Sequence, residues 1–179
     1  ISSIDDEQTP RQGVHIDFDK RTIYITGEVN AIMAHQVIIA LEALDSPDGS
    51  IRVVLNSEGG EEQNGYAIYD ALRMCKSVIV MEGYGNICSI AAAIFQAGDK
   101  RRLAPHTDFM IHNGSIGGEE EMQQTAVLDL AAQIKRDSQK YYDILAAASG
   151  QPQDIIEEWC RGDMYFTAKE AVAEGFADE

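Results

Sequence analysis

The chain has 179 residues and a mass of 19.7 kDa, a size at which one domain buries its core without a metal or a disulfide. Its 14 basic residues against 30 acidic ones give a net charge of -16. This charge argues against nucleic acid and against an anionic membrane surface as partners. No apolar run approaches the roughly 20 residues of a membrane span.

The first residues and the cysteines indicate where the protein works. Residues 1–14 are polar and predict a flexible N-terminal arm rather than a signal peptide. Cys75, Cys88 and Cys160 are odd in number, lack CxxC spacing and lie in apolar segments. They predict buried, reduced thiols of a cytoplasmic protein. Zinc is not expected, because no histidine lies near any pair of them.

Strands and helices alternate along residues 15–179, which we expect to form one domain. The predicted strands, from their β-branched and alternating residues, are 21–26, 51–55, 77–81 and 107–111. The predicted helices, from apolar residues at helical spacing, are 30–44, 62–76, 89–96, 119–149, 155–160 and a last one that opens with a capping box at 167–170. This alternation favours an α/β fold with a largely parallel sheet.

The helix at 119–149 is longer than a compact domain of this size needs. About 30 residues at 1.5 Å per residue give a length of roughly 45 Å. We expect it to project from the domain and to pack against something else, most simply another subunit.

Two strand-to-helix turns carry candidate chemistry. At 56–60, paired glycines let the backbone present N–H groups beside a helix N-terminus, where an oxyanion is stabilised. At 83–89, Ser89 stands at the start of an apolar helix among small residues, where the N–H after it can join the same oxyanion site. A serine in this position is also typical of an ordinary helix N-cap.

A nucleophilic serine needs a base within reach. Of the four histidines, His112 follows the end of a predicted strand and precedes a glycine-rich segment, a position that suits a base beside a cleft. A lone histidine at a strand end is also common as a structural residue. Asp163 lies between two predicted helices and can orient a base, although most such aspartates form turns.

Nine segments together resemble the ClpP family, the self-compartmentalised serine peptidases of the Clp system. The resemblance covers about residues 23–178 and keeps the order and spacing of the family's motifs. The segments are TGEVN at 26–30, LNSEGG at 55–60, GYAIYD at 65–70, GNICSI at 85–90, AGDKR at 97–101, MIH at 110–112, GG at 117–118, SGQ at 149–151 and DMYFTAKEA at 163–171.

The resemblance implies a role for each matching residue. Ser89 stands at the family's nucleophile, His112 at its general base and Asp163 at the carboxylate that orients the base. The backbone N–H groups of Gly60 and Ile90 stand at its oxyanion hole. These matches imply peptide hydrolysis through an acyl-enzyme, with neither a cofactor nor a metal.

The resemblance also implies a fold and an assembly. The family fold is a crotonase-like α/β spiral of β-β-α units with a protruding handle made of a helix and a strand, here about 113–149. Residues 1–14 would form the axial-loop region. Two heptameric rings stack through their handles into a tetradecamer that encloses the sites. A peptide or unfolded polypeptide would then lie as an added strand against Asn113, Gly114, Ser115 and Ile116.

Other readings stay open beside this one. A Clp-family ATPase is a candidate partner, although 52–54 lacks the aromatic residues that family members use in the ATPase-binding pocket. The chain is alternatively a non-catalytic or partner-dependent subunit of a mixed ring. A crotonase-type acyl-CoA enzyme would share the fold but use carboxylates, and a Ser–Lys peptidase would need a lysine near Ser89 or His112.

Overall fold

A computed structural model describes residues 13–114 and 124–179. The strands are β1 (Gly13–Asp17), β2 (Thr22–Thr26), β3 (Ser50–Ser57), β4 (Val78–Cys88), β5 (Lys100–Leu103), β6 (Asp108–Ile111) and β7 (Met164–Thr167). The helices are α1 (Ala31–Leu44), α2 (Glu62–Met74), α3 (Ile90–Phe95), α4 (Gln124–Ser149), α5 (Gln153–Trp159) and α6 (Ala168–Ala173).

The described strands form one mixed sheet in the order β1-β2-β3-β4-β6-β7, with β5 also paired to β4. The pairs β1–β2 and β6–β7 are antiparallel, and the other pairs are parallel. The sheet and its covering helices confirm the predicted α/β class with a largely parallel sheet. In a parallel sheet the carboxyl ends of neighbouring strands meet at one edge, so the loops that follow them can share a site.

The core lies between the sheet and its helices. On β3, Ile51, Val53 and Leu55 are buried while the residues between them are partly exposed, as the two-residue period of a strand requires. An aromatic cluster packs on the sheet near its β7 edge, where Phe109 of β6 stacks on Phe176 with ring centroids 5.0 Å apart. This packing fixes the strands that lead into the candidate site.

The sequence also predicts that 83–86 form a turn after the strand at 77–81, and this is wrong, because β4 continues through these residues to Cys88. The glycines mark a distortion of the strand rather than its end. An added Cβ at Gly83 would lie 2.6 Å from the Leu103 side chain, and Gly85 has a φ of +65°. The register between β3 and β4 shifts at this point, between Leu55 and Ser57. Besides β3, β4 has two further partners, since its first half pairs with β5 and its second half with β6.

Three strands were not predicted from the sequence. Residues 13 and 14, assigned to the arm, begin β1, while 1–12 lie outside the described residues. The strands β5 and β7 are only four residues long. In β5, Arg101 donates to the carboxylate of Asp178 at 2.8 Å, so distant partners hold a segment whose local composition is polar. Short segments of this kind carry too little periodicity to predict a strand.

The helix α4 is only partly packed against the domain. Its described side chains from Thr125 to Arg136 are exposed or partly exposed, and buried residues begin at Asp137 and continue at Tyr141 and Leu145. This distribution of exposed and buried residues agrees with the prediction that the helix projects from the domain. Among the described helices, none combines the length and the apolar character needed to cross a bilayer.

Candidate active site

The sheet order brings the three candidate side chains to one edge. Ser89 follows the end of β4, His112 follows the end of the neighbouring β6, and Asp163 precedes the start of β7. Because β7 is antiparallel to β6, its first residue, Met164, pairs with the last residue of β6, Ile111. Residues separated by up to 74 positions therefore meet because adjacent strands end and begin together.

The imidazole of His112 bridges the other two side chains. Its Nε2 lies 2.9 Å from Ser89 Oγ, and its Nδ1 lies 3.1 Å from Asp163 Oδ1. When Nδ1 carries the proton and donates to the carboxylate, Nε2 is left to accept the serine O–H. The side chain of His112 is 25% exposed and that of Asp163 is 61% exposed, so the histidine end of this array is better shielded from water than the carboxylate end.

The backbone of Ser89 is strained and its side chain does not cap the helix. Its φ of 57° and ψ of -130° are rare for a residue with a side chain, and such a conformation costs about 1–3 kcal/mol. The side chain of Ser89 makes no cap hydrogen bond at the start of α3, so the N-cap interpretation does not explain this serine. The neighbouring Gly59 allows the sharp turn, since an added Cβ there would lie 2.7 Å from Ser89 Cβ.

The two predicted anion-binding N–H groups are free of partners in the described part of the chain. Gly60 forms a parallel bridge with Val29, in which Val29 bonds to the carbonyl of Gly59 and to the N–H of Glu61. This pattern turns the N–H of Gly60 to the opposite side. The N–H of Ile90 opens α3 and therefore has no partner within the helix. Both groups can donate to an oxygen placed beside them.

The start of the predicted substrate-binding strand is partly described. The backbone N–H of Asn113 donates to the carbonyl of Cys160 at 2.9 Å, and its side-chain oxygen accepts from the hydroxyl of Tyr142. Gly114 is exposed and follows directly. Ser115 and Ile116 lie outside the described residues, so their predicted role is not tested.

The other histidines lie away from this array. His15 on β1, His35 on α1 and His106 in the turn before β6 are all exposed. Among residues 13–114 and 124–179, no three or more histidine, cysteine or acidic side chains are grouped to hold a metal ion.

Two residues at the site were not predicted from the sequence. Tyr141 of α4 donates its hydroxyl to the carbonyl oxygen of Ser89 at 2.9 Å. Glu62, the first residue of α2, lines the small pocket that also contains Ser89 and His112. Tyr141 falls on the apolar stripe of its helix, so periodicity indicates its burial and gives no sign of its partner. For Glu62, the signal that could have predicted a place at the site was its position two residues after Gly60.

The cysteines are suited to packing rather than to nucleophilic chemistry. All three are free thiols; Cys88 and Cys160 are buried and Cys75 is partly buried. Burial raises the pKa of Cys160 to about 12. Burial, and then the carboxylates of Asp108 and Glu58, raise the pKa of Cys88, which directly precedes Ser89. Thiols with raised pKa values carry little thiolate at neutral pH.

Comparison with known proteins gives one consistent family. Residues 11–179 match the sequence profile of the family described as Clp protease. The chain is 36% identical over 157 residues to "ATP-dependent Clp protease proteolytic subunit 3" of Rhizobium johnstonii, which covers 86% of this chain and 80% of that protein. It is 32% identical over 168 residues to "ATP-dependent Clp protease proteolytic subunit" of Pleurastrum terricola, covering 92% of this chain and 85% of that protein.

Proposed function

Because the chain belongs to the Clp protease family, we propose that it is a serine endopeptidase that hydrolyses peptides and unfolded polypeptides. The observation that carries the proposal is the continuous contact from Asp163 through His112 to Ser89, at 3.1 and 2.9 Å. A base within hydrogen-bond reach of a serine, itself oriented by a carboxylate, is the arrangement that activates a serine for acyl transfer.

The reaction proceeds in two acyl transfers. Ser89 Oγ attacks the peptide carbonyl carbon while His112 Nε2 takes the hydroxyl proton. The protonated imidazole then gives that proton to the leaving amine, and the C–N bond breaks to leave an acyl-enzyme. Water attacks this ester by the same route, with His112 again accepting and returning a proton. Asp163 holds the Nδ1–H and stabilises the imidazolium in both steps.

Charge develops on the former carbonyl oxygen in each tetrahedral intermediate. The N–H groups of Gly60 and Ile90 are the donors that we assign to this oxygen. They belong to fixed backbone, so they need no reorganisation during the reaction, which is why such donors lower the barrier strongly. The strained turn at Ser89 supports this assignment, because Ser89 directly follows the end of β4 and the N–H that comes after it has no partner within α3.

The family and α4 support a proposal for the substrate and the assembly. We propose that substrate lies extended along Asn113, Gly114, Ser115 and Ile116, and that the chain forms stacked heptameric rings through its handles. The exposed first half of α4, including Val127 and Leu128 at 49% and 64% exposure, supports a helix that packs against another copy. A Clp-family ATPase that delivers unfolded chains is the proposed partner, and the cytoplasm is the proposed location.

One observation favours a second candidate, a partner-dependent subunit of a mixed ring. The carboxylate of Asp163 is 61% exposed, and an exposed carboxylate orients an imidazole less firmly than one shielded from water. A neighbouring subunit that covers Asp163 would strengthen this contact. Under this alternative, the isolated chain has the three side chains in place and gains activity only in assembly.

The test is covalent labelling of Ser89 by a fluorophosphonate, read by intact mass. We expect one adduct on the wild type, none on Ser89→Ala, and one on Ser149→Ala, whose serine lies at the end of α4 and bonds to Leu145. Peptide hydrolysis should fall by at least about 10⁴-fold in Ser89→Ala. A folded wild type that takes no adduct, alone or with a related subunit, would contradict the proposed peptidase.

A further inference from the structure

The pocket beside the nucleophile contains a carboxylate. Its walls include Glu62, Ser138 and Tyr141, together with Ser89 and His112. The free space is about 10 Å³, which is room for about one water molecule. A side chain of a bound substrate that lies at this pocket therefore comes into contact with the groups that form its walls.

Glu62 forms one wall of this pocket. It is partly buried at the first position of α2, and its carboxylate lies against the backbone of Gly114, where an added Cβ would collide with it. Gly114 is the second residue of the proposed substrate-binding strand. The carboxylate therefore lies against the start of that strand and lines the same pocket as Ser89.

No described cation neutralises Glu62. The nearby ammonium of Lys140 is bonded to Asp137 at 2.8 Å and lies 5.4 Å from the centre of the Tyr66 ring. Within residues 13–114 and 124–179, the carboxylate of Glu62 makes neither a hydrogen bond nor an ion pair. Burial, and then the charge of Asp137, raise its pKa above the ordinary value, while His112 and Lys140 act in the opposite direction. A cation from outside would relieve this unfavourable environment.

We propose that Glu62 determines specificity, by selecting substrates whose acyl residue, the one that supplies the attacked carbonyl, is lysine or arginine. The inference rests on the proposed function, since it concerns the same serine. When that carbonyl lies on Ser89, the side chain of the acyl residue is next to the pocket. A slim basic side chain then gives Glu62 a charged partner. An apolar side chain leaves the carboxylate covered and unpaired, and an acidic one is repelled.

Three peptidyl diphenyl phosphonates that differ only in the acyl residue, lysine, leucine or glutamate, test this directly. The phosphorus is attacked by Ser89 Oγ and phenol leaves, so the labelling rate can be followed by intact mass. For the wild type we expect lysine to label at least about tenfold faster than leucine, and glutamate to be slowest. In Glu62→Gln the lysine-to-leucine ratio should fall about tenfold, with Glu62→Asp retaining part of it.

Glu61→Gln is the matched control. Its side chain is exposed, bonds to Asn64 and does not line the pocket, so the lysine-to-leucine ratio should equal that of the wild type. Faster labelling by leucine than by lysine, or an unchanged ratio in Glu62→Gln, overturns the inference while leaving the peptidase proposal intact. Failure of both the fluorophosphonate and all three phosphonates to label Ser89 overturns both.

Discussion

The hydroxyl of Tyr141 donates a hydrogen bond of 2.9 Å to the backbone carbonyl oxygen of Ser89. The same carbonyl accepts the N–H of Ala92 at 2.9 Å. Tyr141 is 6% exposed, and its burial raises the pKa of the phenol well above the ordinary value, so the hydroxyl remains a donor across the neutral range. The buried second half of α4 is therefore hydrogen-bonded directly to the strained residue that we propose as nucleophile.

Replacing Tyr141 with phenylalanine tests whether this bond positions Ser89. The carbonyl keeps the Ala92 N–H, so we expect the free energy of unfolding to fall by only about 1 kcal/mol. A looser Ser89 should lower kcat about tenfold and leave KM nearly unchanged, because substrate contacts remain. The measurement is steady-state peptide hydrolysis combined with thermal unfolding.

Tyr66→Phe is the matched control for that experiment. Tyr66 is also buried, and its hydroxyl donates to a carbonyl of α4, that of Asp137, at 2.9 Å. We expect the same loss of stability with kcat retained. An equal fall of kcat in both variants would mean that Tyr141 only helps to pack the helix.

Gly59→Ala should damage both the fold and the proposed nucleophile. The added Cβ would lie 2.7 Å from Ser89 Cβ and 2.8 Å from the carbonyl oxygen of Cys88, at a φ of +97°. We expect the free energy of unfolding to fall by about 2–4 kcal/mol, and fluorophosphonate labelling of the remaining folded protein to slow strongly. Thermal unfolding and intact mass measure the two effects.

Gly162→Ala provides the comparison, since an added Cβ there has no atom within 4 Å among the described residues. Its unfolding temperature should match that of the wild type. If Gly59→Ala were as stable as Gly162→Ala and labelled normally, the tight approach of Gly59 to Ser89 would have no consequence.

The ionisation of two glutamates should affect the stability of the fold in opposite directions. Glu62 has a pKa raised above the ordinary value of 4.5 by burial and then by Asp137, despite His112 and Lys140. Its ionisation therefore opposes folding once the pH rises above 4.5. Glu62→Gln should match the wild type below this pH, become more stable as the pH passes through the raised pKa, and keep a constant advantage above it.

Glu170 is the opposite case. The backbone N–H of Thr167, and then its hydroxyl, lower the pKa of Glu170 below the ordinary value of 4.5. Its charge therefore supports folding above that pH, and this support is lost as the pH falls through the lowered pKa. Glu170→Gln should be less stable than the wild type at neutral pH and converge with it in acid. Thermal unfolding from pH 3 to about 8 checks both signs, and a shared sign would contradict the assigned causes.

The sequence predicted the parts of the fold that carry strong periodicity. Strands β2, β3 and β6 and the helices were found near their observed positions, because apolar residues recur there at the right spacing. The strands β1, β5 and β7 depend on partners elsewhere in the chain, which local patterns do not contain. The extension of β4 was missed because glycines usually mark turns, whereas here Gly83 accommodates the side chain of Leu103 and Gly85 that of Asn56.

The candidate site was likewise predicted only where local motifs carry the information. Ser89, His112 and Asp163 were predicted from motifs, and the structure brings the three together. Glu62 and Tyr141 were missed, because their relation to Ser89 depends on how α2 and α4 pack across the sheet edge. Side chains that act through tertiary contact leave no signal in their immediate sequence neighbours.

Replacing Asp163 tests whether its exposed carboxylate orients the imidazole or whether the residue only forms a turn. Asp163→Asn removes the charge that favours the Nδ1–H tautomer of His112 and stabilises the imidazolium. Because 61% of the side chain is exposed, we expect kcat to fall about 10²–10³-fold, less than for a fully buried carboxylate, while the unfolding temperature changes little. Asp154→Asn, an exposed aspartate whose carboxylate bonds only to the N–H of Ile155 among the described residues, should keep full activity. If the kcat of Asp163→Asn stayed within about threefold of the wild-type value, the carboxylate would not act on His112, and Asp163 would only form the turn.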